Sequence, residues 1–112
     1  MTSIGISGVG QLIEQEKIHN LCLSDDPRDR IEGLSQLKSS FALLPETQQA
    51  WNDLHRLITD EDSNVRWWAV NTIDSAFAYL PYKPEAWNDL HRLTNDKNSD
   101  VRFWTAYAIG SA

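Results

Sequence analysis

The chain contains an internal repeat with a period of 36 residues. Residues 50–57 return unchanged at 86–93. Identical residues at a constant spacing are the signature of a repeat architecture, in which similar units stack on one another. The agreement continues through the rest of the unit, where Asp60, Ser63, Val65, Arg66, Trp68, Ile73, Ser75 and Ala76 return as Asp96, Ser99, Val101, Arg102, Trp104, Ile109, Ser111 and Ala112.

A fainter first copy precedes these two when the same period is applied backwards. The three units span about 11–45, 46–81 and 82–112, the last one incomplete, and form a single domain over residues 11–112. Residues 1–10 contain three glycines and are predicted to be a flexible N-terminal tail. The matches that define unit one are His19, Arg30, Leu37, Phe41 and Leu44-Pro45.

Each unit is predicted to be a pair of helices, A and B, joined by a short turn. In unit one, helix A begins near Gln11 and helix B runs from Pro27 to Leu44, where Pro45 stops it. The other predicted helices are 47–59, 63–80, 84–94 and 99 onward. No stretch alternates apolar and polar residues, so the predicted fold is all-α: a short α-solenoid of about six helices in a right-handed superhelix.

The helical periodicity also assigns faces to the residues of helix A. In unit two, Asp53 and Arg56 lie opposite the apolar stripe and are expected to face solvent. In unit one, Leu12 belongs to the apolar stripe, whereas Gln15 occupies the place of Trp51. We therefore expect unit one to present a polar outer face, as a terminal repeat needs.

The turn and the start of helix B resemble a HEAT repeat. The resemblance rests on Asp60 followed by Arg66, on Asp96 followed by Arg102, and on small residues before an Ile-Gly pair at residues 109–110. The closest variety is the HEAT-like repeat of the phycobilisome-lyase type, an ARM-like superhelix. This resemblance implies that helices A form the convex side, that helices B form the concave side, and that the Asp and Arg residues form a ladder along the turns.

Composition excludes several classes of partner. The net charge is −6 and the chain has no basic run, so nucleic acid is not an expected partner. No apolar stretch approaches the roughly 20 residues of a membrane span, and no membrane partner is expected. Cys22 is the single cysteine, which is compatible with a reducing compartment and favours the cytoplasm.

No residue pattern predicts catalysis, a cofactor or a metal site. His19, His55 and His91 recur with the repeat, but equivalent positions on packed helices lie about 10 Å apart and cannot share one metal ion. We interpret them as structural. The Asp60–Arg66 and Asp96–Arg102 pairs are likewise interpreted as turn caps that bridge to the neighbouring unit. The chain is therefore not expected to be an enzyme.

The predicted concave face carries the candidate binding residues, which are Trp67, Asn71, Asp74, Phe103 and Tyr107. Aromatic residues with polar neighbours are typical of a binding surface, although the rings could instead be covered by adjacent repeats. Trp51 and Trp87 are predicted to anchor one unit to the next. The favoured function is a scaffold for protein–protein interaction with a protein or peptide partner. The alternative, implied by the resemblance alone, is a lyase-like or cofactor-handling protein.

Unit three ends on residues that look like interior ones, among them Trp87, Trp104 and Tyr107. Apolar surface in water favours association by about 25 cal/mol per Å². We therefore expect either a longer repeat array or a homodimer through the C-terminal repeat.

Overall fold

The computed structural model describes residues 4–111 of the chain, with side chains from residue 9 onward. This part of the chain forms six α-helices and no strand, and none of the helices is long and apolar enough to span a membrane. The helices are α1 (Ile4–Cys22), α2 (Pro27–Ser40), α3 (Thr47–Leu57), α4 (Ser63–Ala76), α5 (Lys83–Leu93) and α6 (Ser99–Ser111).

The helices pair within each unit and stack between units. Helix α1 packs on α2, α3 on α4, and α5 on α6. Between units the closest contacts are made by the second helices, because α4 lies between α2 and α6 and touches both, whereas α1 and α3 touch less extensively. The result is a flat, elongated body of 51 × 29 × 17 Å with the second helix of each unit in one layer.

Side-chain caps start the second helix of each unit. Asp26 and Asp62 have extended backbone conformations, and their carboxylates accept hydrogen bonds from N–H groups of the first turn of α2 and α4. Asn98 does the same before α6, where its amide oxygen accepts from the N–H groups of Asp100 and Val101. These caps satisfy donors that have no partner within the helix.

The ends of α2 and α4 differ from the sequence prediction. The α-helices stop at Ser40 and Ala76, and short 3₁₀ turns, Phe41–Leu43 and Phe77–Tyr79, follow them. The cause is the proline after each turn, which forces the preceding residue out of the helical region. Leu44 and Leu80 accordingly have ψ values of 133° and 136°.

Helix α1 begins at Ile4 and not near Gln11 as predicted. Residues 4–10, which were expected to belong to a flexible tail, are therefore helical, and residues 1–3 lie outside the described residues. Glycine in a helix costs up to about 1 kcal/mol relative to alanine, but this does not forbid propagation of an existing helix, which adds one hydrogen bond per residue.

Two expectations about the face of α1 are wrong. Leu12 is 49% exposed, because at about 100° per residue it lies about 120° around the helix from the buried Ile18. Gln15, which was expected to face solvent, is only 3% exposed. Its amide donates to the carbonyl of Glu46 over 2.7 Å and accepts from the N–H of the same residue over 2.9 Å. Gln15 thus fastens α1 to the start of α3.

A close approach of α1 and α2 occurs at Gly33. A Cβ atom at this position would lie 2.7 Å from Cys22 Sγ and 3.1 Å from the Cys22 backbone nitrogen. The lack of a side chain at Gly33 is therefore what lets the first helix pair pack this tightly.

Candidate functional site

The second helices of units one and two each hold the turn of the next unit through an arginine. Arg30 donates from Nε and Nη2 to the carboxylate of Asp60, over 2.8 and 3.1 Å. Arg66 holds Asp96 in the same way, over 2.8 and 3.0 Å. The remaining Nη1 of each arginine donates to a backbone carbonyl of its own turn, that of Ser24 or Asp60. The pairs thus join successive units.

The same carboxylates also cap the turns in which they lie. Asp60 accepts from the N–H of Asp62, and Asp96 accepts from the N–H of Asn98. Burial raises the pKa of Asp96, but the hydrogen bonds from Arg66 and the Asn98 N–H outweigh this effect and leave the pKa below its ordinary value. Asp60 and Asp96 therefore each hold their own turn and the arginine of the preceding unit.

A second ladder joins the first helices of the units. His19 Nδ1 lies 2.9 Å from both carboxylate oxygens of Asp53, and His55 Nδ1 contacts Asp89. Each Asp also accepts a hydrogen bond from the arginine three residues later in its own helix, Arg56 or Arg92.

The burial of Asp53 corrects the sequence analysis, which expected this residue to face solvent. Asp53 is 2% exposed and Asp89 is 1% exposed. A buried carboxylate needs hydrogen-bond donors, and here the histidine of the preceding unit supplies one that a single-helix wheel cannot reveal. The available signal was the identity of Asp and His in both copies of the repeat.

The two tryptophans of the first helices lie at unit boundaries. Trp51 is 1% exposed, and its indole N–H donates to the carboxylate of Glu85 in the following unit. Trp87 is half-buried and packs edge-on against Phe77 of unit two, with ring centroids 5.6 Å apart. His55 lies over Trp51 at 5.3 Å, so its ring is part of the same packing.

An aromatic surface extends along α4 and α6. The Trp67 ring packs edge-on against Trp68 and Trp104, at 5.4 and 5.9 Å, and is half-buried. Phe103 and Tyr107 both pack against Trp104 but remain 64% and 56% exposed. We call these five residues the aromatic surface. The sequence analysis left open whether adjacent repeats cover these rings. Trp104 of the next unit partly covers the Trp67 ring, but no such residue in the described part of the chain covers Phe103.

Three residues of this surface, Trp67, Trp68 and Trp104, line a shallow groove of about 530 Å³. Of the candidate binding residues, Asn71, Asp74, Phe103 and Tyr107 do not line it. The Asn71 amide donates to the carbonyl of Trp67, and Asp74 accepts from the Ser111 hydroxyl over 2.8 Å. The groove is lined by Ile31, Ser63, Asn64, Trp67, Trp68, Asn98, Asp100 and Trp104.

Cys22, the single cysteine of the chain, is buried. Burial raises the pKa of the Cys22 thiol to about 12, with a further contribution from Asp53, so this thiol is a poor nucleophile. Among the described residues, no group of three or more His, Cys, Asp or Glu side chains is placed to hold a metal ion.

Comparison of the chain with protein-family models, with curated proteins and with solved structures gave no match.

Proposed function

We propose that this chain is a non-catalytic protein-interaction module, a short HEAT-like solenoid whose second helices form a concave binding face. The groove between α2, α4 and α6 receives an extended segment of a partner protein. The observation that carries this proposal is the aromatic surface, of which Trp67, Trp68 and Trp104 line the groove, while Phe103 and Tyr107 are 64% and 56% exposed and pack against Trp104.

The contacts between units support the solenoid interpretation. The same arginine–aspartate and histidine–aspartate contacts recur at both unit boundaries with the period of the sequence repeat. Closer contact between the second helices than between the first ones bends such a stack toward the second helices. Repeat stacks of this kind use their concave side as an extended binding surface.

The lining of the groove supports a peptide as the ligand. Trp67, Trp68 and Trp104 provide an apolar floor, and burying it stabilises a complex by about 25 cal/mol per Å². Asn64 and Asp100 are exposed at the rim and can hydrogen-bond to the polar backbone of an extended segment. The carboxylate of Asp100 favours a segment with a basic side chain at that point.

The test is isolation of the partner from source cells, followed by binding measurements with the purified proteins. Trp67→Ala should weaken binding about tenfold or more, since aromatic contacts at the centre of an interface cost over 1 kcal/mol when removed, and Asn64→Ala at the rim should weaken it less. Tyr82→Ala is the control, because Tyr82 is an exposed aromatic residue, at 58%, that does not line the groove. Equal affinity for all three variants would contradict the proposal.

The same preparation also tests the alternative function. A chromophore that copurifies in stoichiometric amount would favour the lyase-like, cofactor-handling role over a scaffold. We place the protein in the cytoplasm, as expected for a chain with one buried free thiol. Fractionation of source cells tests this assignment.

A further inference from the structure

The arginine, histidine and tryptophan contacts between units have a direction. In these contacts the preceding unit supplies the cationic or N–H donor group and the following unit supplies the carboxylate, whereas the hydroxyls of Thr72 and Ser111 donate back to the preceding unit. Arg30 and Arg66 donate forward to Asp60 and Asp96. In the other layer His19 and His55 contact Asp53 and Asp89, and Trp51 donates to Glu85.

Unit three repeats the donor side of this interface. Arg102 occupies the position of Arg66, His91 that of His55, and Trp87 that of Trp51. Arg102 Nη1 donates to the carbonyl of Asp96 over 2.8 Å, just as Arg66 Nη1 donates to the carbonyl of Asp60 over 2.8 Å. The turn of unit three thus holds the guanidinium group of Arg102 as the earlier turns hold those of Arg30 and Arg66.

Within residues 9–111 the acceptors for this donor set are missing. No carboxylate among these residues lies within ion-pair distance of Arg102 or His91, and both side chains are exposed. Phe103 shows the same difference, since Trp67 at the equivalent position is covered by Trp104 of the next unit while Phe103 is not. We call Trp87, His91, Arg102 and Phe103 the C-terminal face.

We propose that the C-terminal face docks a helical hairpin of the same repeat type, which carries an Asp on its first helix and another Asp seven residues later in its turn. This is the spacing of Asp53 and Asp60 and of Asp89 and Asp96. The turn Asp pairs with Arg102, and the helix Asp pairs with His91. A Glu four residues before the helix Asp, as Glu85 precedes Asp89, accepts from the Trp87 indole.

Charge complementarity favours this hairpin over a second copy of the chain. The first unit has Lys17 at the place of Asp53 and Ser24 at the place of Asp60, so a head-to-tail copy would bring Lys17 to His91. A symmetric dimer through the C-terminal face would place two Arg102 guanidinium groups in one interface. Neither arrangement provides the two carboxylates. None of the four residues of the C-terminal face lines the groove of the proposed function, although Phe103 also belongs to the aromatic surface.

The test uses the whole chain extended by a second copy of residues 77–112 placed after Ala112, which keeps the repeat in register. Hydrogen exchange should show protection in the added copy, and the melting temperature should rise by at least about 5 °C. Changing both acidic positions of the added copy, Asp89→Asn and Asp96→Asn, should remove most of this rise. Arg102→Met in the original third unit should do the same.

Three results would overturn the proposal. An added copy without protected amides would show that the face does not dock a hairpin. An equal rise in melting temperature with the Asn substitutions would show packing without recognition of carboxylates. For the chain without the extension, light scattering at micromolar concentration should show a monomer. If the chain is instead a dimer, and if Arg102→Glu dissociates it, the C-terminal face binds a second copy of the chain. None of these results depends on the partner of the groove.

Discussion

Arg66 and Asp96 form a two-pronged ion pair across the boundary between units two and three. Nε and Nη2 of the guanidinium donate to the two carboxylate oxygens over 2.8 and 3.0 Å, and each side chain is only 7% exposed. Because the third donor, Nη1, is bound to the turn of unit two, this one side chain sets the position of the next unit relative to its neighbour.

Removal of the Arg66 side chain should lower the unfolding free energy much more than removal of Arg102, the exposed residue at the same position of unit three. Arg66→Ala leaves the buried Asp96 carboxylate without its guanidinium partner, which should cost about 3–5 kcal/mol of unfolding free energy. Arg102→Ala is the matched control, since Arg102 is exposed, and should change stability by less than about 1 kcal/mol. Urea unfolding followed by circular dichroism measures both, and similar losses would contradict the structure.

Acid should weaken the boundary through Asp96. Burial raises the pKa of this carboxyl, but hydrogen bonds from Arg66 and the Asn98 N–H outweigh it, and the pKa lies below its ordinary value of 3.8. The stabilisation is therefore present above pH 3.8 and is lost as the pH falls through the lower, folded-state pKa. In Asp96→Asn, the unfolding free energy should depend less steeply on pH in this acid range. An unchanged slope would show that Asp96 is not the titrating group.

Trp51 should be the most sensitive aromatic residue. Truncation of a buried tryptophan to alanine costs about 3–5 kcal/mol, and Trp51 is 1% exposed. Trp51→Phe retains most of the packing and loses the hydrogen bond to Glu85, so it should cost less than Trp51→Ala. Trp87→Ala should cost less stability than Trp51→Ala, because Trp87 is only half-buried. The melting temperatures rank the three variants, and a larger loss for Trp87→Ala would contradict this order.

Two glycines in helices should respond to alanine with opposite signs. Gly33→Ala places a Cβ atom 2.7 Å from Cys22 Sγ and should destabilise the protein by about 1–3 kcal/mol. Gly110→Ala meets no atom within 4 Å and should stabilise α6 by up to about 1 kcal/mol.

A double variant tests the cause of the Gly33 effect. Adding Cys22→Ala to Gly33→Ala removes the closest contact atom, so part of the lost stability should return despite the nearby Cys22 backbone nitrogen. Thermal unfolding provides the measurement. If Cys22→Ala and Gly33→Ala are simply additive, the close approach of α1 and α2 is not the reason for glycine at this position.

The sequence by itself determined the local structure and the repeat. Capping residues such as Asp62 and Asn98 placed the starts of α4 and α6, because a cap depends only on the backbone a few residues away. The 36-residue period placed equivalent side chains in equivalent positions for the same reason. Helix type and turn positions were therefore predictable, apart from the early start of α1 and the 3₁₀ turns before the prolines.

Only the tertiary structure decided which side chains are buried at the boundaries between units. Asp53 and Gln15 look solvent-facing on their own helices, but Asp53 is buried against His19 and Gln15 against the backbone of Glu46. Trp67 and Phe103 occupy the same repeat position, yet the first is covered by Trp104 and the second is exposed. Burial depends on atoms that the neighbouring unit supplies, and no pattern within a single helix contains that information.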